Sequence, residues 1–186
     1  LKEEGWIQTP HIKPPKPLVQ RRDIFEVVER VAFDGETVIA LNMASLDTVI
    51  DRIAEANYDA VAVALLHAYA APDHERQIRD RLYQRLPDID VSISSEVSPK
   101  FREYERTNTT VANSYVKPIV SRYVTHLEES LSGKGFRNEF FIMQSSGGLV
   151  SPEFARNFPI RIVESGPAAG VLMARDAAAE EGFDHV

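Results

Sequence analysis

The 186-residue chain is 44% hydrophobic and 26% charged, with 21 Lys and Arg against 28 Asp and Glu, giving a formal net charge of -7. This composition is typical of a folded globular protein and excludes a disordered or fibrous chain. The acidic balance disfavours nucleic acid as a partner, and no apolar run is long enough for a membrane-spanning helix. Cysteine is absent, which excludes disulfides and thiolate chemistry and agrees with a cytoplasmic location. Because the chain starts at Leu1 without Met, we expect a piece of a longer protein.

The amino-terminal segment is rich in proline. Four prolines lie within residues 1–20, so we expect an extended arm there. An apolar β-prone segment follows at 25–31, and a second lies at 37–41. Asp34 and Gly35 between them predict a β-hairpin, because both central residues of such a turn take positive φ.

Residues 45–94 alternate between helical and strand patterns. Ser45 is the predicted N-cap of a first helix, whose apolar positions Leu46, Val49, Ile50 and Ile53 share one face. Residues 60–66 form an apolar run of strand length, residues 72–86 a second helix, and residues 91–94 a second strand. This order predicts a βαβ unit with a partly parallel sheet, and we expect residues 21–106 to form one α/β subdomain.

A long helix is predicted over residues 107–132. Its apolar residues recur every four positions, at Val111, Tyr115, Ile119, Tyr123, Leu127 and Leu131, and Val116, Val120 and Val124 widen the stripe. Pro118 lies inside this pattern and predicts a kink or a restart.

Shorter elements are predicted after the long helix. They are a buried strand at 140–143, a short helix opening at Ser151, a strand at 160–163 and a small-residue helix from Pro167 to Gly182. We expect residues 107–186 to belong to a second, incomplete lobe.

The first candidate site is the segment Gln144, Ser145, Ser146, Gly147 and Gly148. We expect it to leave the carboxyl end of a strand, where open α/β sheets bind ligands. Its glycines allow a close backbone approach, while the glutamine and serines offer neutral hydrogen-bonding groups. The alternative is a plain strand-to-helix turn with no ligand.

The second candidate site opens the last predicted helix. Ser165, Gly166 and Gly170 lie in the sequence ESGPAAG, whose helical amides could face an anion. The alternative is close helix packing through the small residues of this segment.

Two further groups of residues could carry chemistry. The charged residues Glu96, Arg102, Glu103, Glu105 and Arg106 suit either acid–base work or, more commonly, a solvated turn. His67 has His74 nearby but lacks a third ligand at compatible spacing, so we predict no metal site and assign no catalytic residue.

Several motifs together resemble the hydantoinase/oxoprolinase family. They are LHAY at 66–69 with Pro72, His74 and Glu75, SSEVSP at 94–99, REYER at 102–106, MQSSGGL at 143–149 and SGPAAGV at 165–171. They occur in the family's order across residues 18–186. The chain is similar to N-methylhydantoinases of the A type and to the matching components of acetone and acetophenone carboxylases.

The resemblance implies a fragment of an actin-like, two-lobed ATPase fold with mixed or parallel sheets flanked by helices. It implies an ATP-dependent amidohydrolase that activates the carbonyl of a cyclic amide; the alternatives are an ATP-using ketone carboxylase subunit and a non-catalytic actin-like binding domain. It also implies ATP and Mg²⁺ as cofactors of the full-length protein, a cyclic amide or ketone as substrate, and a hydantoinase B-like second subunit. Both glycine-rich phosphate loops of the family are missing from this sequence, so we expect the fragment alone to bind no cofactor and to be inactive. By the same analogy, the turn at 144–148 borders the nucleotide cleft and residues 166–170 lie in a helix that connects the lobes.

Overall fold

The computed structural model describes residues 16–183, so most of the predicted proline-rich arm lies outside the described residues. The strands are β1 (Arg30–Val31), β2 (Thr37–Ile39), β3 (Ala60–Val63), β4 (Asp90–Ile93), β5 (Ile142–Met143) and β6 (Leu149–Val150). The α-helices are α1 (Met43–Ala56), α2 (Asp73–Arg85), α3 (Ser94–Val97), α4 (Glu103–Gly133), α5 (Pro152–Asn157) and α6 (Ser165–Glu180). Short 3-10 helices lie at Arg21–Asp23 and Pro159–Arg161. No helix within residues 16–183 is long and apolar enough to cross a membrane.

The predicted hairpin is confirmed, with a wider turn than expected. β1 and β2 pair antiparallel, with Arg30 opposite Ile39. Only Gly35 takes positive φ, at 91°, while the carboxylate of Asp34 accepts a hydrogen bond from the Glu36 amide. The side chain of Asp34 therefore closes the turn without entering the left-handed region itself.

The predicted βαβ unit is also confirmed. β3 and β4 pair in parallel, with Ala60 opposite Asp90, and α2 lies between them in sequence. The predicted N-cap of α1 is wrong, because the Asn42 side chain accepts from the Ser45 amide at 2.9 Å and the helix begins at Met43. The buried core of this unit joins α1, α2 and the two strands through Leu41, Leu46, Ile50, Ile53, Val63, Ile78, Leu82, Ile89, Val91 and Ile93.

The long helix is confirmed, but of its predicted apolar stripe only Val124 is fully buried. α4 runs for 31 residues without a restart at Pro118. Tyr115, Ile119 and Tyr123 are 63%, 61% and 64% exposed. The buried positions of α4 are mainly polar and comprise Arg106, Thr110, Asn113, Ser114, Lys117 and Val124.

The opposite face of the parallel strands explains this inversion. Val63, Val91 and Ile93 point into the core formed with α1 and α2, so the alternating positions, including Ser92, point towards α4. Polar groups of α4 then bind strand atoms directly. Ser114 Oγ donates to the Val61 carbonyl at 3.1 Å, and Lys117 Nζ donates to the Val91 carbonyl at 2.9 Å. Buried polar groups are tolerated here because they are hydrogen-bonded.

Three predictions for the carboxyl-terminal part need correction. The strand predicted at 140–143 shortens to two residues, and Phe141 is 55% exposed. The strand predicted at 160–163 is instead a 3-10 helix and a turn, because the Ile160 amide donates to Asn113 Oδ1 rather than to a neighbouring strand. The last helix begins at Ser165, two residues before Pro167. The short helix after Ser151 is confirmed, with the serine side chain capping the Phe154 amide.

Candidate functional site

The segment Gln144–Gly148 is the tight turn of the β5–β6 hairpin. The Gln144 amide donates to the Gly148 carbonyl at 2.7 Å, and the Gly147 amide donates back to the Gln144 carbonyl at 3.0 Å. Gly147 has a φ of 87°, and a Cβ there would lie 3.4 Å from Leu172 Cδ1 of α6. Glycine is therefore favoured at this position by the backbone conformation, and a side chain there would contact Leu172 at van der Waals distance. As predicted, this segment leaves the carboxyl end of a strand, but the alternative of a strand-to-helix turn is wrong, because it leads to the antiparallel strand β6.

The two segments singled out in the sequence meet in space. Ser145 Oγ accepts a hydrogen bond from the Glu164 amide at 3.0 Å, immediately before α6 begins at Ser165. Leu172 packs over Gly147 from the next turns of the same helix. We call the region formed by residues 144–148 and 164–166 the turn–helix corner.

The corner presents neutral hydrogen-bonding groups to solvent. Ser146, Gly148 and Gly166 are exposed, whereas Ser165 is half-buried. Within residues 16–183, the Gly166 amide has no hydrogen-bond acceptor, whereas the Ser165 amide donates to the Ile162 carbonyl at 3.1 Å. The corner can therefore donate hydrogen bonds to a ligand oxygen without supplying a positive charge.

The glycines of α6 do not mediate close packing inside the described part of the chain. A Cβ at Gly166 or Gly170 would meet no atom within 4 Å, and none of the residues of α6 is buried. Gly170 lies one turn beyond the corner and faces open space. Any element that packs on this stripe of small residues lies outside residues 16–183.

The corner is attached to the carboxyl end of the parallel sheet through one residue. The Ser145 amide donates to the Arg161 carbonyl at 2.8 Å, and Arg161 Nη2 donates to the Val97 carbonyl at 3.1 Å. Val97 ends α3, which directly follows β4. The corner is thus linked, through Arg161 and α3, to the end of the parallel sheet at which open α/β folds place ligands.

Sequence reasoning missed a buried charge cluster at this edge. It consists of Glu75, Ser94 and Arg106, which are 0%, 0% and 1% exposed. Ser94 Oγ donates to Glu75 Oε1 at 2.6 Å and accepts from Arg106 Nε at 3.1 Å. The carboxylate also accepts from the amides of Leu65 and Ser95, at 2.9 and 2.8 Å.

Arg106 completes the cluster from the other side. Its guanidinium donates to the carbonyls of Leu65 and Lys100, both at 2.8 Å, and lies 5.6 Å from the ring centroid of Tyr69. Both backbone groups of Leu65 are therefore held by buried charges on two different helices. The sequence signal was available, because Arg106 opens the polar face of α4 that continues through Thr110 and Asn113.

The charged segment before α4 is divided by the fold. Glu96 pairs with Arg79 at 2.7 Å, and Arg102 pairs with Glu105 at 3.3 Å on the surface. The sequence allowed these residues either acid–base chemistry or a place in a solvated turn, and the observed ion pairs give them structural roles.

The histidines are likewise engaged within the fold. His74 Nδ1 lies 2.7 Å from Glu29 Oε2 in a buried pair, and the His67 ring packs edge-on to Tyr69. Within residues 16–183, no group of three or more acidic or histidine side chains could hold a metal ion.

Comparison with solved structures defines the class of the fold. The chain matches the crystal structure of the ATP-dependent caprolactamase from Pseudomonas jessenii with a TM-score of 0.85 and 30% identity, covering 95% of this chain and 26% of that one. It matches a nucleotide-free structure of acetone carboxylase, described for ATP-dependent acetone carboxylation, with a TM-score of 0.82 and 28% identity. That match covers 91% of this chain and 24% of the other. The predicted α/β class is confirmed as one found in ATP-dependent enzymes.

The sequence comparisons identify the family. The model of the hydantoinase/oxoprolinase N-terminal region matches residues 3–86, and the hydantoinase/oxoprolinase model matches residues 106–186. The chain belongs to the hydantoinase/oxoprolinase family, as its motifs indicated.

Two relatives illustrate the range of the family. An uncharacterized protein of Methanocaldococcus jannaschii is 42% identical over 158 residues, covering 85% of this chain and 23% of that protein. The alpha component of the Pseudomonas jessenii caprolactamase is 30% identical over 185 residues, covering 100% of this chain and 27% of that component. The chain therefore spans about a quarter of the length of these relatives.

Proposed function

We propose that this chain is part of an ATP-dependent amidohydrolase that activates the carbonyl of a cyclic amide. The observation that carries the proposal is the turn–helix corner, where Ser145 joins the hairpin turn to the start of α6. The similarity to an ATP-dependent caprolactamase supports the same reaction class. ATP, when bound, would supply the phosphoryl group that turns the amide oxygen into a better leaving group.

The residues of the corner fit the border of a nucleotide site rather than its phosphate-binding centre. The Gly166 amide and the Ser146 hydroxyl are exposed neutral donors, which suit sugar or base oxygens. The guanidinium of Arg161, which adjoins the corner through its backbone, donates to the Val97 carbonyl. We therefore propose that the charges that neutralise the triphosphate and hold Mg²⁺ come from the phosphate loops of the family rather than from this corner.

Two roles follow for the corner within the complete enzyme. The turn orients the nucleotide at the edge of the cleft, and α6 connects two lobes of an actin-like ATPase. The absence of buried residues from α6 supports the second role, because its apolar side chains Val171 and Met173 are exposed and such exposed apolar surface is typical of an interface with another element. We further propose a second, hydantoinase B-like subunit, since relatives are named as subunits of caprolactamase and of acetone carboxylase.

A ketone carboxylase is the second candidate function. The TM-score of 0.82 with acetone carboxylase favours it almost as strongly as the caprolactamase match favours the hydrolase. The two functions share ATP and differ in substrate, because a carboxylase consumes bicarbonate and a ketone, whereas an amidohydrolase consumes water and a cyclic amide.

The test uses the full-length protein with its partner subunit. We expect ATP hydrolysis that depends on an added cyclic amide, and we expect Ser146→Ala to raise the KM for ATP. Ser151→Ala is the matched control, because it removes a hydroxyl that caps α5 outside the corner. ATP hydrolysis that requires a ketone and bicarbonate would establish the carboxylase instead, and no ATP binding at all would identify a non-catalytic binding domain.

A further inference from the structure

Hydrogen bonds, together with the backbone of α3 and the side chain of Arg161, join the buried charge cluster to the turn–helix corner. In the cluster, Ser94 is held between Glu75 and Arg106. Ser94 is also the first residue of α3, and Val97 is the last. The path leaves α3 through the Val97 carbonyl, passes along Arg161 and ends at the Ser145 amide.

Arg161 occupies the critical place in this path because it binds at both ends. Its guanidinium donates a hydrogen bond of 3.1 Å to α3, and its backbone carbonyl accepts a hydrogen bond of 2.8 Å from the turn. The 3-10 helix that carries Arg161 is itself fixed by α4, since Asn113 accepts from the Ile160 amide and donates to the Asn157 carbonyl. The backbone carbonyl of Arg161 is therefore presented to Ser145 from a supported segment.

The end of the path at the buried charge cluster is held firmly by hydrogen bonds. The cluster satisfies both backbone groups of Leu65 and the Ser95 amide with buried charged groups, which form stronger hydrogen bonds than neutral ones. The corner at the other end is exposed, so its position depends on what holds it. Precise placement of groups that contact a substrate or cofactor affects the rate strongly.

We propose that Arg161 is a positioning residue, which transmits the fixed geometry of the carboxyl end of β4 to the turn at residues 144–148. The proposal rests on the proposed function in one respect, that this turn orients the nucleotide. Arg161 acts through Val97 and Ser145 and touches no reacting group.

The experiment compares Arg161→Leu with Arg156→Leu in the full-length protein. Arg156 is a matched control, because it is an arginine five residues earlier whose ion pair with Glu128 joins α5 to α4 and leaves the turn untouched. We expect Arg161→Leu to speed amide hydrogen exchange in peptides covering residues 142–149 about fivefold, the effect of losing one ordinary hydrogen bond. Exchange across β3 and β4 should stay unchanged, and the control should leave the turn at its normal rate.

Kinetics supply the second readout. Arg161→Leu should lower kcat for ATP hydrolysis about tenfold while changing the KM for ATP less than about twofold. Arg161→Lys keeps one N–H donor and should restore part of both effects. A purely structural arginine would lower the melting temperature and the amount of active protein, without this separation of kcat from KM.

The outcomes distinguish this inference from the proposed function. Equal exchange at the turn in Arg161→Leu and the control overturns the path, and faster exchange with an unchanged kcat overturns the positioning role. A wild-type protein without ATP turnover contradicts the proposed function, while the exchange comparison still supports or overturns the path.

Discussion

Replacing Glu75 with glutamine tests whether the buried charge cluster stabilises the fold as its geometry implies. The substitution keeps the shape of the side chain but removes its charge. In the native protein, the Glu75 carboxylate accepts three hydrogen bonds, from the Leu65 amide, the Ser94 hydroxyl and the Ser95 amide. A glutamine amide group carries two donors, so one of these N–H or O–H groups would face another donor.

The magnitude follows from burial. Arg106 is 1% exposed, so in the variant its charge stays buried without a countercharge. Glu75 and Arg106 are bridged by Ser94 Oγ rather than joined in a salt bridge, so losing the countercharge should cost less than the about 3–5 kcal/mol of a direct buried pair. One orphaned buried polar group costs about 1–3 kcal/mol, and we expect a total loss of about 3 kcal/mol in the free energy of unfolding, a large part of the roughly 5–15 kcal/mol typical of a domain.

Urea denaturation of the variant and of its control measures this loss. Glu105→Gln is the control, because it removes the charge of an exposed carboxylate paired with Arg102 and should cost less than about 1 kcal/mol. The double variant Glu75→Gln with Arg106→Met should lose about 0.5–3 kcal/mol less in the free energy of unfolding than the sum of the losses in the two single variants. Simple additivity, or a Glu75→Gln effect as small as that of the control, would refute the reasoning.

Three further predictions follow from particular positions. Gly147→Ala should lower the free energy of unfolding by about 1–2 kcal/mol, measured by urea denaturation, because its φ of 87° is unfavourable for alanine and the new methyl group meets Leu172. Gly170→Val should leave the melting temperature of the chain nearly unchanged, since the added atoms meet open space, but should impair ATP turnover in the full-length protein; unchanged activity per folded molecule would contradict packing of another element on α6. The hydrogen bond from Arg81 holds the pKa of Asp47 below its ordinary value of 3.8, so this stabilisation is complete above pH 3.8 and is lost as the pH falls through the lowered pKa. Asp47→Asn should remove that part of the pH dependence of stability, measured as the free energy of unfolding between about pH 2 and 5. The same pH dependence in the variant and the wild type would contradict this role of Asp47.

Local signals in the sequence identified elements whose structure depends on neighbouring residues. The hairpin at Asp34–Gly35 and the βαβ unit were predicted because turn chemistry and apolar runs act over short distances. The small error at Ser45 has the same origin. Asn42 lies three residues earlier and captures the Ser45 amide, so the helix starts before the predicted cap.

The wrong predictions concern features that depend on contacts between residues far apart in the chain. The apolar period of α4 correctly predicted a helix, but the side that is buried depends on the strand atoms that face it, and these favour the polar side. In the same way, Ile160 has strong β-propensity, yet its amide is taken by Asn113, 47 residues earlier in the chain. Propensity gives no information about such a distant partner.

The candidate site was predicted in its parts but not in its assembly. The segments 144–148 and 164–166 stand out by their composition, and their junction through Ser145 could not be read from spacing. The buried charge cluster escaped notice because charged residues are usually exposed, so that Arg106 and Glu75 suggested surface roles.

The length of α4 gives it the mechanical properties of a lever. At about 1.5 Å per residue, its 31 residues extend roughly 46 Å. The held part of α4 runs from Arg106, in the buried charge cluster, to Lys117, which donates to the Val91 carbonyl, and the rest carries Glu128, which is paired with Arg156 of α5. The part beyond Lys117 is about 24 Å long, so a rotation of about 5° at the end of the held part would move the far end by about 2 Å. A spectroscopic label on the exposed carboxyl-terminal turn of α4 would therefore report angular changes at the sheet edge that are too small to detect there directly.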